Sequence, residues 1–439
     1  MTKRKYYIFP LSVIALIFFV FGFIIWLNGV LIPYFKICLE LSNFQASLVV
    51  FAAYIAYFVM ALPSARILKY TGYKKGMVLG LSVMAFGALM FIPAAYTRTY
   101  GLFLSGLFIT GTGLTLLQAS VNPYVAIIGP IESTAQRVGF LGLANKIAGI
   151  FSIFVLGSVF LLDADSIIAT VSQADAAEKA KILDLYALKI VGPYIMIASV
   201  FLSLAALIFF SNLPEIDDSV AEEDGIARAI PSRSGVFRYP WLILGVVSMF
   251  FAITVEIIPV DGIIIYSRSL GFSIEESRLF PTYTLFAMIF GYLATIILIP
   301  RFLSQNRVLQ LAAAWGIIFS IGSYFGEGRV SIYCLVLTGF ATAMFWGTIW
   351  GLSMRELGKY TKVGGAMILM GILGGAILPV FFGRLIDSNA HFPQNAVLLL
   401  IPFYMVLLTF GSWGYRLESW SLKSVKEAVF PAKKKSTSE

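Results

Sequence analysis

Twelve stretches of this chain are each long and apolar enough to cross a lipid bilayer, which closes off most of the folds open to 439 residues. A crossing helix needs about 20 predominantly apolar residues. The qualifying runs fall at 9–31, 45–68, 76–96, 101–127, 139–161 and 190–213, then at 241–266, 279–302, 308–325, 330–354, 363–386 and 395–413. Inside lipid the backbone has no water to bond, so such runs are read as helices, which satisfy their own N–H and C=O groups. Composition agrees: charged residues are 13%, against roughly 25% in soluble domains, and hydrophobic residues are 59%. A soluble globule, a disordered chain and a coiled coil are excluded. The expected fold is an all-α polytopic membrane protein with twelve transmembrane helices in two six-helix halves.

A polar stretch separates the two sets of six. It carries Glu215, Asp217, Asp218, Glu222, Glu223 and Asp224, then Arg228, Arg233 and Arg238, and cannot bury apolar area. The expected organisation is a first half at 1–213, a hydrated cytoplasmic linker at 214–239, a second half at 240–415 and a cytoplasmic tail at 416–439. Lys and Arg gather on the cytoplasmic side of membrane proteins. With the N-terminus placed inside, the inner segments hold 22 of the 32 Lys and Arg and the outer loops hold nine. Both termini are therefore expected in the cytoplasm, and the chain in the cell inner membrane. The first run follows Lys3, Arg4 and Lys5, but it is too long for a signal peptide and lacks a small-residue cleavage site, so it is read as a retained helix. An outer stretch at 163–189 is polar, with a short surface helix expected over 174–186, and no role attaches to it. The basic end at Lys433, Lys434 and Lys435 suits plain solvation or anionic inner-leaflet lipid.

The net charge of +9 does not point to nucleic acid, because no soluble domain is present to offer a basic face. Cys38, Cys334 and His391 are the only residues of their kinds. They support neither a disulfide framework nor a metal site, and no cofactor is expected. A membrane hydrolase needs a nucleophile with its base, or clustered metal ligands, within the spans. No P-loop pattern suggests direct use of ATP. An enzyme is not expected; two halves about a linker suit a transporter that rocks around a mid-membrane site.

Polar side chains at membrane depth are costly and mark a pathway more often than chance. Gln118 and Asn122 lie four apart on one helix face. Paired amides offer donors and acceptors together, as a sugar hydroxyl requires, or they bond neighbouring helices to one another. Asn145 and Lys146 fall early in the fifth run. A lysine there must snorkel, pair with a carboxylate or line a wet cavity, and Asn145 points some 100° away from it. In the seventh run Glu256 and Asp261 flank Pro259, with Gly262 following, so the helix is expected to break where two acids are held. Exposed carbonyls and a carboxylate can take a proton or a sodium ion there. Either acid can instead simply pair with Lys146 or an arginine. Trp26 and Asn28 on the first run, and Trp346 and Trp350 on the tenth, can offer flat faces and an amide to a pyranose, or serve as packing.

Several segments go beyond hydropathy. They are Leu27-Asn28-Gly29-Val30-Leu31-Ile32-Pro33, then Leu41-Ser42-Asn43-Phe44-Gln45-Ala46 running on through Tyr54, Tyr57 and Pro63, and Asn122-Pro123-Tyr124-Val125 followed by Gly129-Pro130. With Thr361-Lys362, Gly371, Gly374-Gly375, Pro379, Gly383 and Asp387, they resemble the fucose permease family of the major facilitator superfamily, which includes glucose/galactose and N-acetylglucosamine permeases. The resemblance covers nearly the whole chain. Lys69 and Tyr70 stand where the superfamily usually has an Asp-Arg pair, a departure that the fucose permeases share. The resemblance implies alternating-access uptake of a neutral monosaccharide across the lipid bilayer, with Asn145 matching an asparagine of the family's sugar site. It also implies a departure, since the two carboxylates of proton-coupled fucose permeases align with Gly29 and Gln118, which cannot titrate. The combination of Gly29, Gln118 and Asn145-Lys146 looks more like the glucose/galactose branch. Asn28, Gln118, Asn122 and Asn145, with Trp26, Trp346 and Trp350, are thus the expected sugar contacts. Ion coupling by H+ or Na+ is expected through Glu256 or Asp261, near Lys146. An uncoupled facilitator, a sugar sensor and an N-acetylglucosamine permease are the alternatives.

Overall fold

The computed structural model describes residues 3–127, 134–211, 213, 235–299, 301–357, 360–389 and 391–429. Among them twelve spans have the length and composition to cross a membrane. The first six are Pro10–Cys38, Phe44–Ser64, Arg66–Thr97, Tyr100–Val121, Gly139–Gln173 and Ala176–Phe210. The second six are Pro240–Ser269, Ile274–Leu298, Gln305–Phe325, Arg329–Ser353, Val363–Ser388 and Pro393–Arg416. Large apolar side chains stay exposed around the perimeter, Phe86 at 58%, Phe290 at 62% and Ile318 at 64%. An apolar surface on that scale belongs in lipid, and the chain is a multi-pass membrane protein. Below, the membrane face that carries the two described ends is the near face and the opposite one the far face.

Local chemistry explains where the spans begin and how closely they approach. Ahead of the second span, Ser42 Oγ accepts from the Gln45 N–H at 3.1 Å while Gln45 Oε1 accepts from the Ser42 N–H at 2.9 Å. This reciprocal cap satisfies two donors that the helix start leaves open, and it is the physical content of the Ser42-Asn43-Phe44-Gln45 segment. A kink falls at Gly72, within Arg66–Thr97, and its φ of +74° suits a residue without a Cβ. Third and fourth spans then meet backbone to backbone. A Cβ on Gly80 would lie 2.8 Å from the Gly113 carbonyl oxygen, and one on Gly113 would lie 2.5 Å from that of Gly80. In lipid such close approach is a main source of helix attraction.

Several spans are irregular, four of them in ways that bear on the site. The first runs as Lys3–Ile25, breaks at Trp26 and Leu27, and resumes as Asn28–Cys38, beyond its expected end at 31. In the seventh, Pro240–Ile257 passes into a π turn at Ile258–Gly262 and continues as Ile263–Ser269. The expected break at Pro259 is thus a widened turn and not a severed helix. The tenth divides into Arg329–Thr342 and Phe345–Ser353, and the eleventh tightens to a 3-10 step at Gly371–Leu373. The stretch at 163–189 is more helical than its polarity suggests: in place of one helix over 174–186 it holds two, Ala164–Gln173 and Ala176–Leu188.

The two sets of six meet along three pairs of spans, first with seventh, second with eleventh and fifth with eighth. In the first pair the contact is made by Asn28–Cys38 and the region from the π turn to Ser269, toward the far face. The expected linker is described only over 235–239, a short 3-10 turn at Val236–Arg238, and 214–234 lie outside the described residues. The expected tail is described to Val429, where Leu422–Val429 is helical. Its basic end at 433–435 lies outside.

Candidate functional site

At the interruption of the first span, Trp26 reaches the fifth span. Gly22, one turn earlier, lies so close to the Asn145 backbone that a Cβ has no room. From there Trp26 Nε1 donates to Asn145 Oδ1 at 3.0 Å, and Asn145 Nδ2 donates to the Phe18 carbonyl at 3.4 Å. The next residue, Lys146, is buried. Its Nζ sits 3.9 Å from the centroid of the Trp26 ring and donates to Glu256 Oε1 of the seventh span at 2.8 Å. Of the three environments open to a lysine in a span, Lys146 has the carboxylate pair. The pair joins the two halves at depth, with side-chain exposures of 4% and 13%. Two charges cost several kcal/mol each to take out of water, and a close hydrogen-bonded partner offsets that cost. The Trp26 face adds a cation–π contact, and Tyr292 stands farther off at 5.9 Å.

Asp261 lies one and a half turns beyond Glu256 under very different conditions. It is 1% exposed, and neither carboxylate oxygen has a hydrogen-bond partner among the described residues. The π turn places it against Gly29 of the first span. A Cβ on Gly29 would stand 3.1 Å from Asp261 Oδ1 and 3.4 Å from the Val260 carbonyl oxygen. The Gly29 N–H lies near the carboxylate without reaching hydrogen-bond geometry. The carbonyl that Pro259 itself contributes to the turn is not free, since Thr284 Oγ1 donates to it at 2.8 Å. Glu256, Lys146 and, from the second span, Tyr54 are within electrostatic reach of Asp261.

Gln118 is tied to the second span, its Nε2 donating to Tyr57 Oη at 3.2 Å. Tyr57 stacks on Tyr54, with centroids 6.0 Å apart and planes at 21°. The Tyr54 hydroxyl is buried and has no partner among the described residues. Asn28, at 5% exposure, opens the resumed helix beside Gly29. Asn122 lies in the helix Tyr100–Ile127, but its side chain falls outside the described residues. Trp346 and Trp350 stack on each other at 6.0 Å and 21°, both half-buried.

The expected residues therefore fall into groups. Trp26, Asn145, Lys146 and Glu256 form one bonded cluster, and Asp261 adjoins it beside Asn28-Gly29. Gln118 belongs to a second group with Tyr57 and Tyr54, and the tryptophan pair of the tenth span to a third. Trp26 does not present an open face here, because Lys146 covers one side and Gly149 packs against the ring. Tyr54, Tyr57, Tyr292 and Thr284 carry no charge and have no distinctive spacing, so reasoning from polarity in the spans passes over them as site members.

Residues 14–379 match the profile of the Major Facilitator Superfamily. A glucose/galactose transporter of Brucella abortus biovar 1 (strain 9-941) is 29% identical over 423 residues, covering 94% of this chain and 96% of the relative. An L-fucose-proton symporter of Escherichia coli (strain K12) is 28% identical over 423 residues, covering 92% of this chain and 93% of the relative. Among solved structures, a Major Facilitator Superfamily transporter, FucP, in the outward conformation superposes with a TM-score of 0.72 at 26% identity, covering 93% of this chain and 99% of that one.

Proposed function

The chain belongs to the Major Facilitator Superfamily, and from that premise we propose that it takes up a neutral monosaccharide, an aldohexose or fucose, by proton-coupled alternating access. What its relatives are named for supports the substrate class. The bias of Lys and Arg supports a cytoplasmic near face with both termini cytoplasmic, and the bacterial relatives support placement in the cell inner membrane. In this reading Asn28, Gln118, Asn122 and Asn145 bond sugar hydroxyls, and Trp346 and Trp350 supply flat apolar faces to the ring. Trp26 positions Lys146 and Asn145 and does not itself touch sugar.

The observation that carries the coupling is the contrast between the two acids. Glu256 is held in a hydrogen-bonded pair with Lys146, whereas Asp261 is sealed from solvent with no hydrogen-bond partner among the described residues. With all three groups charged the cluster bears one net negative charge, and one proton on Asp261 makes it neutral. An ionised carboxylate in such a place is costly, so loading Asp261 with a proton favours the arrangement that seals it and losing the proton favours one that opens it. A proton fits without a ligand shell. A sodium ion requires several oxygen ligands, and the carbonyl that Pro259 contributes is already engaged by Thr284.

Purified protein in proteoliposomes should accumulate at least one of labelled glucose, galactose, fucose or N-acetylglucosamine under an inward pH gradient. Asp261→Asn should retain counterflow exchange and lose accumulation. Uptake that never exceeds equilibrium would make the protein a facilitator, uptake that follows sodium would exchange the ion, and an Asp261→Asn protein that accumulates like the parent would place the proton elsewhere.

A further inference from the structure

The helix pair at 163–189 is fastened to the first half. Tyr34 Oη donates to the carbonyls of Tyr186 and Ala187 at 2.9 and 2.8 Å. Arg98 Nη1 lies 3.2 Å from Asp184 Oδ1, and Lys179 pairs with Glu40. One residue of the pair reaches the other way. Asp165, in the first turn of Ala164–Gln173, extends across the far face to the loop between the seventh and eighth spans. Its Oδ2 accepts from the backbone N–H groups of Ile274 at 2.9 Å and Glu275 at 3.1 Å, and its Oδ1 lies 3.4 Å from Arg268 Nη1. Those two N–H groups belong to the first turn of the helix Ile274–Ser277, where no intrahelical acceptor exists for them. Ser273 Oγ accepts the next one, from Glu276, at 3.1 Å. Arg268 is itself fixed by donating to the Phe272 carbonyl at 2.9 Å. A carboxylate on a braced element of one half thus completes the helix start of the other. Also crossing this face among the described residues are hydrogen bonds from Arg278 Nη1 to Ser158 Oγ at 3.1 Å and from the Phe44 N–H to Asp387 Oδ2 at 3.2 Å, and Lys36 of the first half is in electrostatic contact with Asp387 of the second.

We propose that Asp165 is the clasp of the far face, a positioning residue that sets how often the far end of the pathway opens, with the 163–189 helix pair as its rigid mount. This rests on the alternating-access reading above. Opening separates all three donors from one carboxylate at once and hands them to water, and hydrogen bonds to an ionised acceptor are the stronger kind. Asparagine in its place keeps one acceptor oxygen but turns an amide N–H toward the same donors. Asp165→Asn therefore raises the open fraction. Because a protein whose binding-competent state is scarce binds in proportion to that fraction, it also tightens binding of sugar offered from the far side. An element that merely held the fold together would weaken binding or leave it unchanged when damaged.

The test uses full-length protein in nanodiscs with Cys38→Ser and Cys334→Ser, spin-labelled at Leu185→Cys and Val330→Cys, exposed positions of the far side in the first and second halves. Asp165→Asn should shift the distance distribution toward longer separations, raising the open-to-closed ratio about three- to tenfold and tightening far-side sugar binding by a similar factor. Asp184→Asn, which removes a contact within the first half only, should do neither. A distribution and affinity equal to the parent's in Asp165→Asn would overturn the clasp. A second protein in the same cysteine-free background, Asp165→Cys with Ile274→Cys, separates this from the premise. Oxidation should stop uptake and reductant should restore it, and full uptake by the cross-linked form would show that this face does not open, so alternating access at this contact is wrong.

Discussion

Glu256 and Asp261 occupy one helix, and the difference between them comes from what other helices bring. Lys146 belongs to the fifth span and Gly29 to the first, and no spacing within a span reveals the register between spans. The sequence therefore marks the two acids and the lysine as notable while leaving open which of them pair. Gln118 poses a similar question with a sharper answer. Its bond to Tyr57 is a neutral one at 3.2 Å, easily exchanged for one to a sugar hydroxyl. A buried hydroxyl that loses its partner costs about 1 to 3 kcal/mol. Gln118→Ala should weaken sugar binding about tenfold by titration, with insertion and expression unchanged. Parental affinity in that variant would mean that the amide serves only to hold the fourth span to the second.

At the scale of elements, the twelve spans are legible because a bilayer imposes its thickness on any chain that crosses it. The interruptions are less legible. Pro259 announces the π turn of the seventh span, but nothing of the kind stands at Trp26-Leu27 or at Ala343-Met344, and Pro33 and Pro63 lie within uninterrupted helix. At Trp26 the interruption coincides with tertiary contacts to Asn145 and Lys146. The helix pair at 163–189 escapes a hydropathy reading for a different cause, since its polar surface hides Leu183 and Tyr186, both buried against the first half. Gly80 and Gly113 mark a contact whose cost of disturbance can be measured. A branched side chain at 113 must displace the facing backbone, and overpacking of this kind costs about 1 to 3 kcal/mol. Gly113→Val should lower the thermal midpoint of the detergent-solubilised protein by several degrees without altering ion selectivity. An unshifted midpoint would mean that these spans can separate freely.

At the scale of the whole molecule, the ionic contacts that join the halves among the described residues include two that stand in different media. The Lys146–Glu256 pair is walled in at 4% and 13% exposure, while Arg268 and Asp165 are 39% and 40% exposed at the far face. Mobile ions screen the second and scarcely reach the first. Raising KCl from about 0.01 M to about 1 M shrinks the Debye length from about 30 Å to about 3 Å. The far end should then open more readily when that electrolyte bathes the far face, and not when it is confined to the near one. With the near face cytoplasmic, external KCl in right-side-out vesicles should tighten sugar binding in the manner of Asp165→Asn, and internal KCl should not. The reverse dependence would place the termini outside. A transporter built this way carries, besides its response to substrate and proton, a response to the ionic strength of one compartment alone.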